Sequence, residues 1–276
     1  DLATQAPSSS PMVLKGQMGM TLSPNGRWLA TAANDQTVRL VDPRADDPSR
    51  STIVLSAREL DDGAFALTFS PDGRWLLCTA GSGRTGLLWD LSGPRPKEKP
   101  IVLQSESPEI AYPVFSPNSR WLVCSSTVWE TARAWDLAGD DPAVTSYTLR
   151  GHRNGVESVV FSPDSTRLVS YGVDRFGNVA RFGRDVHVWN LLAESPFQAQ
   201  TEILLQGGYR RRMLGRLHSP IDVNNRWLIT GGSQEDTMLW NLRIDDLLKN
   251  VRRVAGRALT DEERDLYLIE RDAAQP

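Results

Sequence analysis

Apolar and polar positions along the chain fall into a four-part pattern that returns after 47, 46, 46 and 57 residues. An apolar run ends in a Ser-Pro turn at Ser23, Ser70, Ser116 and Ser162, and a looser copy starts at Ser219. After the first three turns, and again in the last copy, a second run opens on Arg-Trp-Leu. A third run closes on Val41-Asp42, Trp89-Asp90, Trp135-Asp136, Trp189-Asn190 or Trp240-Asn241. A short β-branched or apolar run lies ahead of each unit: Val13-Leu14, Ile53-Val54-Leu55, Ile101-Val102-Leu103, Tyr147-Thr148-Leu149 and Ile203-Leu204-Leu205. Short runs of β-formers bounded by Pro, Gly, Asn and Asp predict strands, not helices. In the fourth unit the pattern predicts strands over 156–161, 167–170 and 186–189, with the run before the next unit as the fourth. Proline just after each turn serine supplies a preset φ where no ladder donor is lost.

Four short strands per repeat are the blade of a β-propeller. One blade cannot bury both faces, so blades must stack. Trp28, Trp75, Trp121 and Trp227 recur early in the second strand, with Leu168 in that place in the fourth unit, and read as packing residues. With Gly151-His152 ahead of the fourth unit, and endings of W-D or W-N, residues 13–242 resemble the WD-repeat family. The resemblance implies an all-β WD-repeat propeller, with five four-stranded blades in this chain. Val13-Leu14-Lys15-Gly16 is similar to the outer strand Leu149-Arg150-Gly151 and could pair with the last three strands to close the ring. Leu14 to Ser23 spans only 9 residues, which predicts a clipped innermost strand in the first unit. Residues 1–12 are rich in Ala, Ser, Thr and Pro and begin with Asp. They are expected to be a flexible linker in a chain cut from something longer.

After Leu242 the period changes. Ile244, Leu247, Leu248, Val251 and Val254 follow helical spacing, Gly256 is a stop, and Thr260 with Glu263 forms a capping box. Residues 243–276 are thus expected to be a short C-terminal α-helical extension and tail. The string from Val254 to Leu268 resembles the tail that follows WD-repeat sensor domains in large bacterial signalling NTPases, kinases and caspase-like proteases. That resemblance implies a sensing or scaffolding role.

Composition narrows the partners. A net charge of -3 gives no reason to expect nucleic acid or a membrane surface. No apolar run approaches the roughly 18 residues that span a bilayer. The two cysteines, Cys78 and Cys124, make a disulfide scaffold improbable and fit a reducing cytoplasm.

His152, Ser170 and Asp174 are the residue types of an acyl-transfer triad. With Trp189 they also match the structural tetrad of WD blades, in which the resemblance implies that histidine bridges aspartate and the strand hydroxyl while tryptophan completes the chain. Asp185 could take the place of Asp174. The corresponding sets elsewhere are degenerate: Thr31, Asp35 and Val41; Thr79, Gly83 and Trp89; Ser125, Trp129 and Trp135; Thr230, Gln234 and Trp240. No G-x-S-x-G elbow occurs. Gly81 to Gly86 match G-x-G-x-x-G, but a blade-ending strand follows instead of a helix, so they read as a hairpin turn. The three histidines, His152, His187 and His218, are far apart and lack metal-ligand spacing. No metal and no cofactor is expected.

Two basic features interrupt the repeat. One is Arg210-Arg211-Arg212. The other is an insertion in the fourth unit holding Arg175, Phe176, Arg181, Phe182 and Arg184. Arginine with aromatics on loops of a rigid scaffold is the composition of binding hot spots. The expected function is a non-catalytic interaction scaffold or sensor, binding a protein or peptide or serving an effector domain in the same polypeptide. A propeller hydrolase or lyase with a central-channel site is the alternative. It lacks a recurrent acidic or histidine position on the inner strands.

Overall fold

The computed structural model describes residues 17–33, 35–45, 47, 50–60, 64–93, 96, 99–105, 110–139, 141–176, 179–193, 196–197, 200–204, 221–223, 227–231 and 237–241. These form antiparallel sheets, with no helix among them. Among the described residues, no helix is long and apolar enough to cross a membrane. The chain divides into two compact units, residues 1–106 and 107–276.

The first unit holds two four-stranded sheets. One runs β1 (Gln17–Leu22), β2 (Leu29–Ala33), β3 (Thr37–Val41) and β4 (Ile53–Ser56). The other runs β5 (Ala64–Phe69), β6 (Trp75–Ala80), β7 (Thr85–Asp90) and β8 (Ile101–Gln104). Ala30, Val38, Leu40 and Leu55 share a core with Leu76, Cys78, Leu87 and Trp89.

The second unit holds β9 (Tyr112–Phe115), β10 (Trp121–Ser125), β11 (Ala132–Asp136) and β12 (Ser146–Leu149) as one sheet. A second comprises β13 (Val156–Phe161), β14 (Arg167–Phe176), β15 (Val179–Asn190) and β16 (Gln200–Leu204). A third has three described strands, β17 (Ile221–Val223), β18 (Trp227–Gly231) and β19 (Thr237–Asn241). Its central core joins Trp121, Val123, Ala134 and Leu149 to Val159, Phe161, Leu168 and Trp189.

The Ser-Pro turn has a physical reason to recur. Each turn serine donates its backbone N–H to the residue five ahead, and its hydroxyl accepts that residue's N–H: Trp28, Trp75, Trp121 and Arg167, all at 2.9 Å. The same hydroxyl donates to the side chain two ahead, as in Ser116 to Asn118 (2.7 Å) and Ser162 to Asp164 (2.6 Å). The fourth turn residue takes positive φ at Gly26, Gly73, Ser119 and Ser165. Glycine adopts that conformation freely, and the two serines adopt it at some cost.

The Arg-Trp and Trp-Asp markers are coupled. The Arg74 guanidinium lies 4.5 Å from the Trp75 ring centre and pairs with Asp90 at 3.3 Å. Arg120 repeats this over Trp121, with Asp136 at 2.8 Å. In the fourth repeat both partners change together, to Thr166 and Asn190.

Three sequence expectations need correction. β1 is six residues long, so the first unit's inner strand is not clipped. Arg167, not Leu168, occupies the tryptophan position of the fourth repeat, because Arg167 opposes Asn190 as Trp75 opposes Asp90. The fourth-repeat strands run well past 170 and begin well before 186, because the insertion continues as a paired ribbon. Gly81 to Arg84 form the β6–β7 turn, with Gly83 at φ +67 donating to the Ala80 carbonyl. The expected linker (1–12), the run 13–16 and the extension (243–276) lie outside the described residues.

Candidate functional site

The fourth repeat carries a buried polar network. Ser170 on β14 stands directly opposite His187 on β15, and Trp189 follows two residues along the same face. His152 enters from the loop ahead of β13. The Trp189 Nε1–H donates to Ser170 Oγ at 2.9 Å, and His152 Nε2 meets the same oxygen at 2.8 Å. An indole N–H can only donate, so the serine oxygen accepts from Trp189 and keeps its own proton for the contact with the imidazole, or accepts there too. The His187 ring sits edge-on to His152, centres 4.3 Å apart, and stacks on Trp189 at 6.0 Å. All four residues are buried. A hydroxyl so enclosed and engaged acts as a hub that fixes neighbours.

What it fixes is the loop of residues 150–155. Gly155 in that loop lies so close to the neighbouring sheet that a Cβ there would come within 2.0 Å of the Thr127 carbonyl oxygen. The Val156 N–H donates to the Ser126 carbonyl at 2.9 Å. The histidine loop is therefore seated on the β10–β11 turn.

Three of the four proposed tetrad residues, His152, Ser170 and Trp189, are thus joined by hydrogen bonds. The backbone of Asp174 lies farther out, opposite Arg181, and its side chain is outside the described residues. The pairing is Tyr171 with Val186, then Val173 with Phe182, Asp174 with Arg181, Arg175 with Ala180 and Phe176 with Val179. Arg184 and Asp185 fall in the register shift at the ribbon's base. The insertion side chains, and Arg210, Arg211 and Arg212 altogether, lie outside the described residues.

Register corrects the assignments in the other repeats. Leu29, Leu76, Leu122 and Leu168 oppose Val41, Trp89, Trp135 and Trp189. Two residues on stand Thr31, Cys78, Cys124 and Ser170. The equivalents of Ser170 are therefore Cys78 and Cys124, not Thr79 and Ser125, which lie one residue farther and face the opposite side. Among the described residues, the hydroxyls of Thr31, Thr79 and Ser125 are buried without a hydrogen-bond partner, as is Trp89 Nε1. Burial pushes the Cys78 thiol up to about 12, and raises that of Cys124 as well.

The histidines also need correction: His152 and His187 are in ring contact despite their separation in sequence. Among the described residues, no group of three or more His, Cys, Asp or Glu is placed to hold a metal ion. Sequence reasoning passed over one exposed feature. Tyr112, Val128 and Trp129 are large, apolar and solvent-facing at one end of the third repeat. The available signal was that Trp129 is the one tryptophan of nine at neither repeat position.

Residues 10–42, 53–90 and 144–178 match the family model of the WD domain, G-beta repeat. These stretches fall on the first, second and fourth repeats. No curated protein matches the chain in sequence. Among solved structures, Kuenenia stuttgartiensis hydrazine synthase is similar over 88% of this chain and 69% of that chain, at 16% identity and a TM-score of 0.49. Those three stretches are thus similar to WD repeats, and the four-stranded antiparallel sheets are consistent with propeller blades.

Proposed function

We propose that the protein is a non-catalytic protein–protein interaction scaffold or sensor, the WD-repeat part of a larger bacterial signalling protein in the cytoplasm. The observation that carries this is the β14–β15 ribbon. It extends four residue pairs beyond its sheet, at the register positions of Arg175, Phe176, Arg181 and Phe182. Recognition elements are commonly mounted in this way on a rigid scaffold. The Ser170 network supports a non-catalytic role, since its hydroxyl is buried and its bonds are used to hold a loop. The signalling attachment rests on the tail resemblance from Val254 to Leu268. The partner is a protein or peptide, or an effector domain in the same polypeptide, and neither nucleic acid, membrane nor cofactor is needed.

Two variants test this: replacement of residues 173–182 by a two-residue turn, and Arg211→Ala with Arg212→Ala. Partner capture by the full protein from its source should be lost in both, with the thermal unfolding midpoint little changed. Undiminished capture by both folded variants would overturn the assignment of the contact surface.

A further inference from the structure

Two Asn-Gly pairs occur in the sequence, Asn25-Gly26 and Asn154-Gly155. Such a pair has a chemistry of its own. The glycine amide nitrogen can close on the asparagine side-chain carbonyl, because no Cβ on the glycine hinders the approach. The structure puts the two pairs in opposite circumstances.

Asn25-Gly26 forms the middle of the first Ser-Pro turn. Asn25 Oδ1 accepts the Ser23 hydroxyl at 2.8 Å and the Arg27 N–H at 3.0 Å. The Gly26 N–H donates to the Ser23 carbonyl at 2.8 Å. The Asn25 amide also lies over the second turn, where a Cβ on Gly73 would come within 2.5 Å of its Nδ2. Electrophile and nucleophile are both engaged, so ring closure must give up hydrogen bonds on each.

Asn154-Gly155 belongs to the histidine loop. Asn154 is half-buried, and among the described residues neither its side chain nor the Gly155 N–H makes a hydrogen bond. Glycine is required at 155, since a Cβ there would come within 2.0 Å of the Thr127 carbonyl oxygen. The packing that excludes a side chain at 155 therefore leaves the Asn154 carbonyl open to attack from the following nitrogen.

We propose that Asn154 is a site of spontaneous modification, converted to aspartate or isoaspartate through a cyclic imide with Gly155, while the Ser-Pro turn protects Asn25. The Gly155 nitrogen bonds to Asn154 Cγ and the Cγ–Nδ2 bond breaks. Nδ2 leaves as ammonia, taking the proton given up by the Gly155 N–H. Water then adds across an imide C–N bond. Opening at Cγ gives aspartate, and opening at the backbone carbonyl gives isoaspartate. No oxidant or reductant takes part. The site is independent of the interaction-scaffold reading.

The loop is tied on both sides of the pair, by His152 to Ser170 and by the Val156 N–H to the Ser126 carbonyl. Isoaspartate lengthens the main chain between those ties, and either product adds a negative charge there. The first turn, by contrast, tolerates aspartate. Asp72 fills the same place in the second turn, with the same bonds from Ser70 and Arg74.

The test is timed incubation of the full chain in mildly alkaline buffer, folded and in denaturant, with peptide mapping for a mass gain of about 1 Da at each site. In the folded chain Asn154 should convert about tenfold or more faster than Asn25, and the two rates should approach each other in denaturant. Conversion of Asn25 as fast as Asn154 in the folded chain would overturn the proposal. So would a folded chain that converts at neither site while the denatured chain converts at both. Asn154→Gln, which closes a larger ring far more slowly, should abolish the mass gain at that position. Amide hydrogen exchange at Val156 reads the consequence for the loop. It should quicken about tenfold in the aged parent and stay unchanged in aged Asn154→Gln. Unaltered Val156 exchange in a chain converted at 154 would refute the effect on the loop's seat.

Discussion

The second and fourth sheets share one register and differ in what fills one face. In the second, Leu76 opposes Trp89 and Cys78 opposes Leu87. In the fourth, Leu168 opposes Trp189 and Ser170 opposes His187. The apolar frame is the same, and both faces are buried. The consequences for the two indoles are opposite: Trp189 donates to Ser170, whereas Trp89 Nε1 is buried with no partner among the described residues. The difference teaches that the frame alone suffices to build the sheet, since the second repeat folds into four strands without the network. The polar set adds a tether for the 150–155 loop, which in turn seats on the β10–β11 turn. In the second repeat a retained tryptophan without its acceptor costs about 1–3 kcal/mol, a burden that packing carries.

The largest expected effect is at the hub. Ser170→Ala removes the acceptor of Trp189 and the partner of His152 at once, and should destabilise by about 2–4 kcal/mol in denaturant unfolding. Cys78→Ala at the matching position loses one sulfur from a core and should cost about 1–2 kcal/mol. Equal losses would break the comparison. Next come the indoles. Trp189→Phe loses packing and a hydrogen bond, whereas Trp89→Phe loses packing and removes an orphaned donor. The first should exceed the second by about 1 kcal/mol. Cys78→Ser would sharpen the contrast by offering Trp89 an acceptor, and should leave stability within about 1 kcal/mol of the parent.

Two smaller effects concern titration. Burial holds the Cys78 thiol up at about 12 and raises that of Cys124, so neither should be alkylated at pH 8 until the chain unfolds. Intact-mass analysis reads this, and rapid labelling of folded protein would contradict it. On the exposed β2–β3 turn, hydrogen bonds from Arg39 and Thr37 hold the Asp35 carboxyl below its ordinary range. A carboxylate lowered on folding contributes stability above its unfolded value and loses it as pH falls through the lowered one. Asp35→Asn should therefore leave the acid limb of the unfolding curve slightly flatter, with screening keeping the effect small. A steeper acid limb would contradict that sign.

Much of the fold is written in the chain because the turn chemistry repeats with it. A serine whose hydroxyl takes the N–H five residues ahead needs proline, a short polar residue and a positive-φ residue in fixed order, and the sequence supplies them. Faces were harder to read. Thr79 and Ser125 look like the hydroxyl of the network by residue type, yet strand alternation gives that place to Cys78 and Cys124. Sulfur and oxygen are near in size and unlike in hydrogen bonding, so only register settles the matter. The insertion reads as a lengthened hairpin bearing a loop, and only the structure gives the extent of its strand pairing. Its β-formers, Val173, Phe176, Val179 and Phe182, flank Gly177-Asn178, a pair that signals a hairpin. The contact of His152 with His187 joins a loop to a strand that local spacing cannot connect. Trp129 was legible as the tryptophan outside both series, once repeat positions rather than composition are counted.

The claim that the fourth repeat is pinned by a cooperative polar network, and the second is not, is tested most directly by a pair of double-mutant cycles. One combines Ser170→Ala with Trp189→Phe, and the other Cys78→Ala with Trp89→Phe, each read as unfolding free energy. The fourth-repeat cycle should show a coupling of about 1 kcal/mol or more and the second-repeat cycle one near zero. Equal couplings in the two repeats would contradict the account.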